Sequence, residues 1–569
     1  MKIHTYAKQG NIQGVTDELA TGIDINITDQ LSYYKYTPLM CAILRDNLSL
    51  DMVKFLVENG ADVNAVETEV DSTVLGLAVQ TGNLDLVKFL IERGANINYQ
   101  RPEGYNIILD AMFCGNIIKN PNLITMLNFL IEKGVSVNNI TSYGESALRV
   151  ASRVGRFDVV DLLLTHGADS QQLAWTKIMY TIVFGGVKDV QKLIDEGEDL
   201  EARDYWSRTP FLLSLQAGNL DIARLLLASG ANRNVKGRCG KPSLFYPIES
   251  NHFDIFQWLI EEGFDIEETD DFKTTPLMIA GQYGVTDYIK ILLKAGANIH
   301  KLDHCNSKAI NHASNLEIIE FLLEEGNDLN EIERDMRPLL TKVKQEDIQV
   351  EKEEYLKAKT RNFGTKNPEI MDIEFWKAMI RSRVSGYYPK AMFDDTDNWD
   401  KPVWSYDRFG QSITQLPDGR IIEIAGEHED YYDPDFCIYN DVVVYDGKGN
   451  FTIYGYPKYV FPPTDFHSST LVKDFIYIIG SLGYMGERIV NETPVYRLSC
   501  DTFKMEKIET FGDKPGWIHS HQAFYQNPDK IQIKGGEIWT LVNDKSEYLD
   551  NINTYVLDLT TLMWSQEVS

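Results

Sequence analysis

Histidines and carboxylates in the last third of the chain have the types and spacing that could support chemistry. His467 and His521 stand 54 residues apart, each at the start of a strand-like segment. Histidine nitrogens and carboxylate oxygens bind transition metals and exchange protons near neutral pH. One candidate site, for a metal or for acid–base catalysis, therefore consists of Glu427, His428, Asp465, His467, His519 and His521.

Aromatic residues in the first 330 residues form a second group, suited to binding rather than catalysis. They stand between helix-like segments, as Tyr205 and Trp206 do between Asp204 and Thr209. Exposed aromatic rings are enriched among the residues that dominate protein–protein binding energies. The same rings can instead fold back onto a neighbouring segment, and both interpretations stay open. The candidate binding residues are Tyr33, Tyr34, Tyr143, Tyr205, Trp206 and Phe272.

A repeated phrase predicts the elements that position these aromatic residues. Clear copies are Gly60-Ala-Asp-Val-Asn64 and Gly94-Ala-Asn-Ile-Asn98, and ten copies begin at glycines from Gly22 to Gly326. The nine gaps between these glycines are 30 to 40 residues long, most often 33. Such a period indicates helical units that cannot bury their apolar faces alone and must stack on one another.

Each copy also begins in a similar way. Proline after threonine suits the first position of a helix, where the missing N–H has no partner to lose. Such pairs occur at Thr37-Pro38, Thr209-Pro210 and Thr275-Pro276. Together these motifs resemble the ankyrin repeat over residues 1–345, and the resemblance implies an α-solenoid of about ten repeats with projecting hairpins that carry the aromatic residues. The sequence departs from the pattern at Ala174–Ile178, at Lys241-Pro242, and around Cys114–Pro121, where extra residues predict a longer loop.

From Gly410 onward the apolar period changes from 3.6 to 2, which is typical of strands. Three segments, Arg420–Gly426, Asp474–Gly480 and Lys530–Gly536, end in glycines spaced 54 and 56 residues apart. They resemble kelch repeats, which form four-stranded blades of a β-propeller. Only three blades are recognisable, so we expect an all-β, partial propeller. The resemblance also implies a structural role for His467 and His521, since kelch blades commonly carry a histidine at that place.

The predicted domains are therefore an ankyrin-repeat solenoid at 1–345, a charged helical linker at 346–366 and a kelch-like domain at 367–569. The net charge of −29 disfavours direct nucleic-acid binding and favours a basic protein partner. Six cysteines without a Cys-x-x-Cys pair argue against a zinc site or a disulfide framework. The start lacks a signal peptide and no apolar run is long enough for a membrane, so we expect a cytoplasmic protein.

The sequence contains none of the common nucleotide-binding, serine-hydrolase or zinc-protease motifs. We therefore expect a protein–protein interaction scaffold or binder that is not an enzyme and carries no cofactor or metal, with an inhibitor or immunity-type protein as the sharper hypothesis. The alternatives are an enzyme or carbohydrate-binding protein that uses the histidine and carboxylate group, and an effector that binds target-cell proteins. The oligomeric state is left open.

Overall fold

The chain folds into two compact units, Met1–Leu322 and Leu323–Ser569. The structure is a computed structural model. It describes residues 2–30, 33–44, 48–113, 120–334, 336–395, 400–429, 432–543 and 545–567. Among these residues, no helix combines the length and the apolar character that crossing a membrane requires.

Helical hairpins form the first unit. The described residues contain nine successive pairs of α-helices, and in a tenth copy the 3₁₀ helix Ala309–His312 precedes the final helix. The helices are Lys2–Gln9, Ile12–Ala20, Pro38–Ile43, Leu50–Glu58, Val74–Gln80, Leu84–Glu92, Ile107–Ala111, Leu123–Glu132, Ala147–Arg153, Phe157–Thr165, Lys177–Phe184, Val187–Asp195, Pro210–Ala217, Leu220–Ala228, Phe245–Glu249, Phe253–Glu261, Pro276–Tyr283, Thr286–Lys294 and Leu316–Glu324.

The predicted helix boundaries are confirmed at both ends of the motif. Thr37, Thr209 and Thr275 each accept a hydrogen bond from the backbone N–H three residues later, and the following proline takes the first helical position. All ten repeat glycines have positive φ, from 74° at Gly263 to 105° at Gly326. Glycine reaches this left-handed conformation without the strain that a Cβ would impose, which explains why it recurs where the second helix ends.

The phrase after each glycine forms a tight turn and also ties adjacent repeats together. The side chain in its third place accepts a bond from the N–H two residues later, as at Asp62. In the fifth place, Asn64 reaches the next repeat: its Nδ2 donates to the Gly94 carbonyl at 3.1 Å, and its Oδ1 accepts from the Asn96 N–H at 2.7 Å. The same pair of bonds is made by Asn26 and Asn138.

Four further helices belong to the second unit. One of them lies in the segment predicted as a charged linker, 346–366, and it is not solvated on all sides. Its Tyr355 ring is buried, and the Tyr355 hydroxyl donates to Asp395 Oδ2 at 2.8 Å. This helix therefore packs through an apolar face, which the surrounding charged residues obscure in the sequence. The four are Arg337–Thr341, Lys352–Ala358, Glu374–Ser382 and Tyr387–Met392.

The rest of the second unit is built from strands. They are numbered along the chain as β1 Glu369–Ile370, β2 Ser412–Gln415, β3 Ile421–Ile424, β4 Glu427–His428, β5 Cys437–Ile438, β6 Val442–Tyr445, β7 Phe451–Gly455, β8 Ser468–Val472, β9 Phe475–Ile479, β10 Val495–Ser499, β11 Met505–Lys507, β12 Phe511–Gly512, β13 Trp517–His519, β14 Gln522–Gln526, β15 Lys530–Lys534, β16 Glu537–Val542, β17 Lys545–Asp550, β18 Thr554–Asp558 and β19 Met563–Glu567.

Three sheets repeat one antiparallel arrangement of four strands. Their orders are β2-β3-β6-β7, β8-β9-β10-β11 and β14-β15-β18-β19, with β1 added at the edge of the first and β12 at the edge of the third. Two smaller sheets are β13-β16-β17 and β4-β5. The three strands predicted to be equivalent are β3, β9 and β15, the second strand of each large sheet. Among the described residues no sheet closes on itself, and the kelch propeller identity is not confirmed by this all-β arrangement.

Alternation along β9 explains how these sheets share their cores. Ile476 and Ile478 belong to one buried cluster, which includes residues of the first sheet, whereas Tyr477 and Ile479 belong to another, which includes residues of the third. Successive side chains of a strand point to opposite faces. The middle sheet is therefore buried on both sides.

We predict that Asn64→Ala lowers the free energy of unfolding by about 1–2 kcal/mol, because it removes two hydrogen bonds that net about 0.5–1.5 kcal/mol each. Urea unfolding followed by far-ultraviolet circular dichroism measures the change. Asn98→Ala is the matched control, since Asn98 holds the equivalent place but makes no such bond within the described residues. Equal losses from the two variants would contradict the role assigned to Asn64.

Candidate functional site

The predicted aromatic residues separate into two groups in the structure. Tyr33, Tyr34, Tyr143 and Phe272 are exposed, and Tyr143 retains 72 % of its surface. Tyr205 and Trp206 are half-buried. The pair therefore contacts other parts of the repeat region, and those contacts define the strongest candidate site.

The hairpin that carries Tyr205 and Trp206 leans onto an earlier repeat. Asp204 shapes it, since its carboxylate accepts bonds from the Trp206 N–H at 2.9 Å and the Arg208 N–H at 2.8 Å. The Tyr205 hydroxyl donates to the Gly144 carbonyl at 3.2 Å, and Trp206 Nε1 donates to the Arg149 carbonyl at 2.9 Å. Both rings thus reach about sixty residues back along the chain.

A shortened repeat explains how they can reach so far. The gap from Gly167 to Gly197 is only 30 residues, and the 3₁₀ helix Ser170–Leu173 stands where neighbouring repeats have a longer hairpin. This is the region where Ala174–Ile178 replaces the usual threonine–proline opening. The Tyr205 N–H donates to the Leu173 carbonyl at 3.0 Å. The hairpin of one repeat therefore lies across the space that the shortened repeat leaves open.

Arginine side chains stack on the two rings. The Arg149 guanidinium carbon lies 3.8 Å from the centre of the Tyr205 ring. Those of Arg153 and Arg238 lie 5.4 and 5.2 Å from the centre of the Trp206 ring. A guanidinium within about 6 Å of an aromatic ring is attracted to it by about 0.5–2 kcal/mol. The rings and the arginines thereby hold one another in place.

Tyr205, Trp206, Arg153 and Arg238 line a cavity of about 430 Å³, called the Trp206 pocket below. Four of the eleven lining residues carry a positive charge and one carries a negative charge. This balance is opposite to that of the whole chain, which has 84 acidic and 55 basic residues. The lining residues are Tyr143, Glu145, Arg153, Tyr205, Trp206, Arg208, Gln216, Arg238, Cys239, Lys241 and Tyr246.

Arg208, which lines the Trp206 pocket, belongs to a buried ion pair. Arg208 Nη2 donates to Asp204 Oδ2 at 2.6 Å, and the other N–H groups of Arg208 bond to Asp204, Ser152 and Gln216. All five donors of the guanidinium are thus satisfied. Because both charges are buried, removing either would leave the other uncompensated. Arg208 therefore supports the pocket rather than offering donors to a ligand.

The remaining cations differ in how far they are already paired. Lys241 forms an ion pair with Glu249, and burial lowers the pKa of the Lys241 ammonium while Glu249 opposes that shift. Arg153 and Arg238 are exposed, and within the described chain neither guanidinium bonds to a carboxylate. The charges available at the mouth of the pocket are therefore those of Arg153 and Arg238.

The histidines of the other candidate site are buried. His467 Nε2 lies 2.7 Å from Ser412 Oγ, and His521 Nε2 lies 2.8 Å from Ser468 Oγ. Each histidine thus bonds to a serine at the start of the preceding large sheet. Burial lowers the pKa of both imidazoles to about 3, and a neighbouring histidine adds to the shift in each case. Both rings are neutral at physiological pH and join one sheet to the next.

The other four residues of that site are buried as well. Asp465 accepts bonds from the Gly483 N–H at 2.6 Å and from Ser481 Oγ at 3.1 Å. Burial raises the pKa of the Asp465 carboxyl, and these bonds together with one to Glu427 oppose the shift. Burial also lowers the pKa of His428, and that of His519 to about 4.

Few of the six residues of this candidate site lie close to one another. The structure brings Glu427 and Asp465 into contact. In the part of the chain that the structure describes, however, no three of the six residues bring atoms that could bind a metal ion within 4.8 Å of one another.

One cluster that the sequence pattern did not suggest lies at a hairpin tip. Atoms that could bind a metal ion, one from each of Asp303, His304 and Cys305, lie within 4.8 Å of one another. The Asp303 carboxylate already accepts bonds from the Cys305 N–H, the Ser307 N–H and His312 Nε2. It shapes its hairpin as Asp204 does, and we assign the cluster to that role.

The buried histidines make stability depend on pH. The unfolded chain binds protons at histidine near pH 6.5, whereas folded His467 and His521 bind them only near pH 3, so stability is lost as the pH falls below 6.5. Between pH 7 and pH 5 we expect the wild type to lose about 2–4 kcal/mol more than His467→Gln/His521→Gln. Gln411 already occupies the equivalent place before the first large sheet.

Urea unfolding at the two pH values, followed by tryptophan fluorescence, measures this difference. The same pH dependence in both proteins would show that these histidines are not buried as neutral groups.

Comparison with protein families identifies the repeats of the first unit. A family model described as ankyrin repeats (3 copies) matches residues 3–101, 178–270 and 248–333. A model of the single ankyrin repeat matches residues 143–173. Hairpins that contribute to the Trp206 pocket lie within these matches.

Similar curated proteins come from distant organisms. Ankyrin repeat protein nuc-2 of Neurospora crassa is 26% identical over 194 residues, which are 33% of this chain and 18% of nuc-2. The ankyrin repeat and KH domain-containing protein CBG24701 of Caenorhabditis briggsae is 28% identical over 164 residues, 28% of this chain and 6% of that protein. The ankyrin repeat protein YahD of Escherichia coli K12 is 29% identical over 234 residues, 40% of this chain and 94% of YahD. The chain thus spans under a fifth of the first two relatives.

Proposed function

Since residues 3–101, 143–173 and 178–333 match ankyrin repeats, which imply protein–protein interaction, we propose that this chain binds a protein partner at the Trp206 pocket. One observation carries the proposal: a half-buried tryptophan with two uncommitted arginines beside a cavity of about 430 Å³. Tryptophan, tyrosine and arginine are the residues most enriched at the energetic centres of protein interfaces. Of the six predicted binding residues, Tyr143, Tyr205 and Trp206 would make the contacts.

Binding fits the chain better than catalysis. Ankyrin-repeat proteins are mostly binders rather than enzymes. For His467 and His521 we propose the structural role implied by the kelch resemblance, because both are buried and bonded to serines of the preceding sheet. The enzyme or carbohydrate-binding alternative would need a substrate to reach side chains that are buried.

For the second unit we propose a partial, kelch-like propeller of three blades. The repeated four-stranded sheets and the histidine–serine bonds between successive sheets support it. The predicted domain boundaries, 1–345, 346–366 and 367–569, stay part of this proposal as the limits of the sequence patterns, although the second compact unit already begins at Leu323 and includes the helix of 346–366. A second binding surface on the same chain would raise affinity through effective concentration if both contacted one partner.

A basic partner remains the second candidate, with an inhibitor or immunity-type role. The net charge of −29 favours it through long-range attraction. An effector that binds target-cell proteins would use the same features. We also propose a reducing, cytoplasmic location, which is supported by Cys239, Cys305, Cys437 and Cys500 being free thiols.

The proposal predicts that Tyr143→Ala and Trp206→Ala release a partner that the wild-type chain captures. The full chain is immobilised, bound proteins are recovered from a lysate of the source cells, and each is quantified by mass spectrometry. We expect Trp206→Ala to lower recovery of the partner about tenfold or more, because hot-spot truncations cost about 2 kcal/mol or more.

Tyr33→Ala is the matched control, since Tyr33 and Tyr143 are both 72 % exposed. Recovery unchanged by Tyr143→Ala and Trp206→Ala, or reduced equally by Tyr33→Ala, would refute the site. Circular dichroism of each variant verifies that the helical repeats are intact.

A further inference from the structure

The charge at the Trp206 pocket indicates what kind of segment it accepts. We infer that the pocket binds an acidic segment of the protein partner, through the guanidinium groups of Arg153 and Arg238. The inference rests on the proposed function and goes against the charge of the chain as a whole. Three features support it: the positions of the two arginines on Trp206, the ion pairs that already compensate nearby charges, and the acidic character of the rest of the molecule.

Stacking on the Trp206 ring holds both guanidinium groups in place and leaves their N–H groups able to bind carboxylates. A guanidinium packed against a ring still has N–H groups at its edge, and these match the two oxygens of a carboxylate. Since both distances end on the same ring centre, the two guanidinium carbons lie less than 11 Å apart. Side chains two or three residues apart on an extended chain, about 7–10 Å, can reach both. A segment with two acidic residues can therefore bind both arginines at once.

Among the described residues, no carboxylate forms an ion pair with either of these two arginines. Asp204 is committed to Arg208, and Glu249 is committed to Lys241. Glu145 lines the pocket and accepts a bond from the Tyr105 hydroxyl at 2.7 Å. Glu145 keeps its negative charge in that bond and offsets one arginine at most, so at least one positive charge at the mouth is left for a partner to compensate.

The acidic remainder of the molecule favours a peptide over a polyanion. At physiological ionic strength a charge is screened beyond about 8 Å, so a few carboxylates inside the pocket respond mainly to the local arginines. A nucleic acid carries one phosphate charge about every 1.7 Å of duplex and would extend over surface of its own sign. The exposed Tyr143 ring and the half-buried Trp206 ring, which both line the pocket, also offer apolar contact that a peptide side chain can use.

Selection from a phage-displayed library of random 12-residue peptides on the immobilised full chain tests the inference. We expect the recovered peptides to contain at least twice the Asp and Glu content of the starting library. The best of them, synthesised with a fluorescent label, should bind at least tenfold more weakly to Arg153→Gln/Arg238→Gln in anisotropy titrations. Replacing its Asp and Glu by Asn and Gln should have the same effect.

Arg224→Gln/Arg233→Gln is the matched control. Arg224 and Arg233 also stack on rings, 5.8 Å from the centre of Trp258 and 4.6 Å from that of Phe264, but they do not line the pocket. We expect this variant to bind the labelled peptide as the wild type does. Equal losses in both double variants would overturn the inference, because a general charge effect would then account for the binding.

The other outcomes distinguish the inference from the proposed function. Recovered peptides that are rich in Lys and Arg, or that lose affinity with Trp206→Ala but not with Arg153→Gln/Arg238→Gln, would overturn the acidic segment and leave the pocket as the binding site. Tighter binding of a labelled single-stranded oligonucleotide than of any selected peptide would also overturn it. Failure to recover any peptide above background, or peptides unaffected by Trp206→Ala, would overturn both.

Discussion

Stacking of each helical hairpin on the next is the interaction on which the first unit depends. One hairpin cannot bury its apolar face alone, so every repeat contributes half of the core that it shares with its neighbour. The closing glycine ends each second helix, and in three repeats the asparagine four residues later also links neighbours, as Asn64 does by bonding to two backbone groups of the following repeat. The repeated phrase is therefore a rule for assembling repeats rather than a catalytic motif.

The Trp206 pocket lies where one repeat departs from this pattern. The repeat between Gly167 and Gly197 is short and begins without threonine–proline, and the following hairpin then leans across it. Buried Asp204 and Arg208 hold that hairpin, and the rings of Tyr205 and Trp206 pack against three arginines. An irregularity in a regular array thus produces a concave, positively charged site on an acidic protein.

Sequence patterns predicted the repeated elements well because those elements are set locally. The ten glycines, the threonine–proline openings and the strands β3, β9 and β15 all follow from residues close together in the chain. Trp206 was recognised, but Arg153 and Arg238 were not, since they lie 53 and 32 residues away and only the fold brings them to its ring. Two gaps are 30 residues long, and the one from Gly167 to Gly197, which also lacks the threonine–proline opening, was the signal that could have pointed to this place. The buried Tyr355 was missed because the charged residues around it hide a narrow apolar face.

The most direct test of the account measures hydrogen–deuterium exchange of the full chain with and without its captured partner. We expect slower exchange in segments 143–153, 204–208 and 236–246, which surround the Trp206 pocket, and little change at the other hairpin tips. Protection confined to the tips around Tyr33 and Phe272, or to the β-sheets of the second unit, would contradict the claim that the shortened repeat between Gly167 and Gly197 creates the binding site.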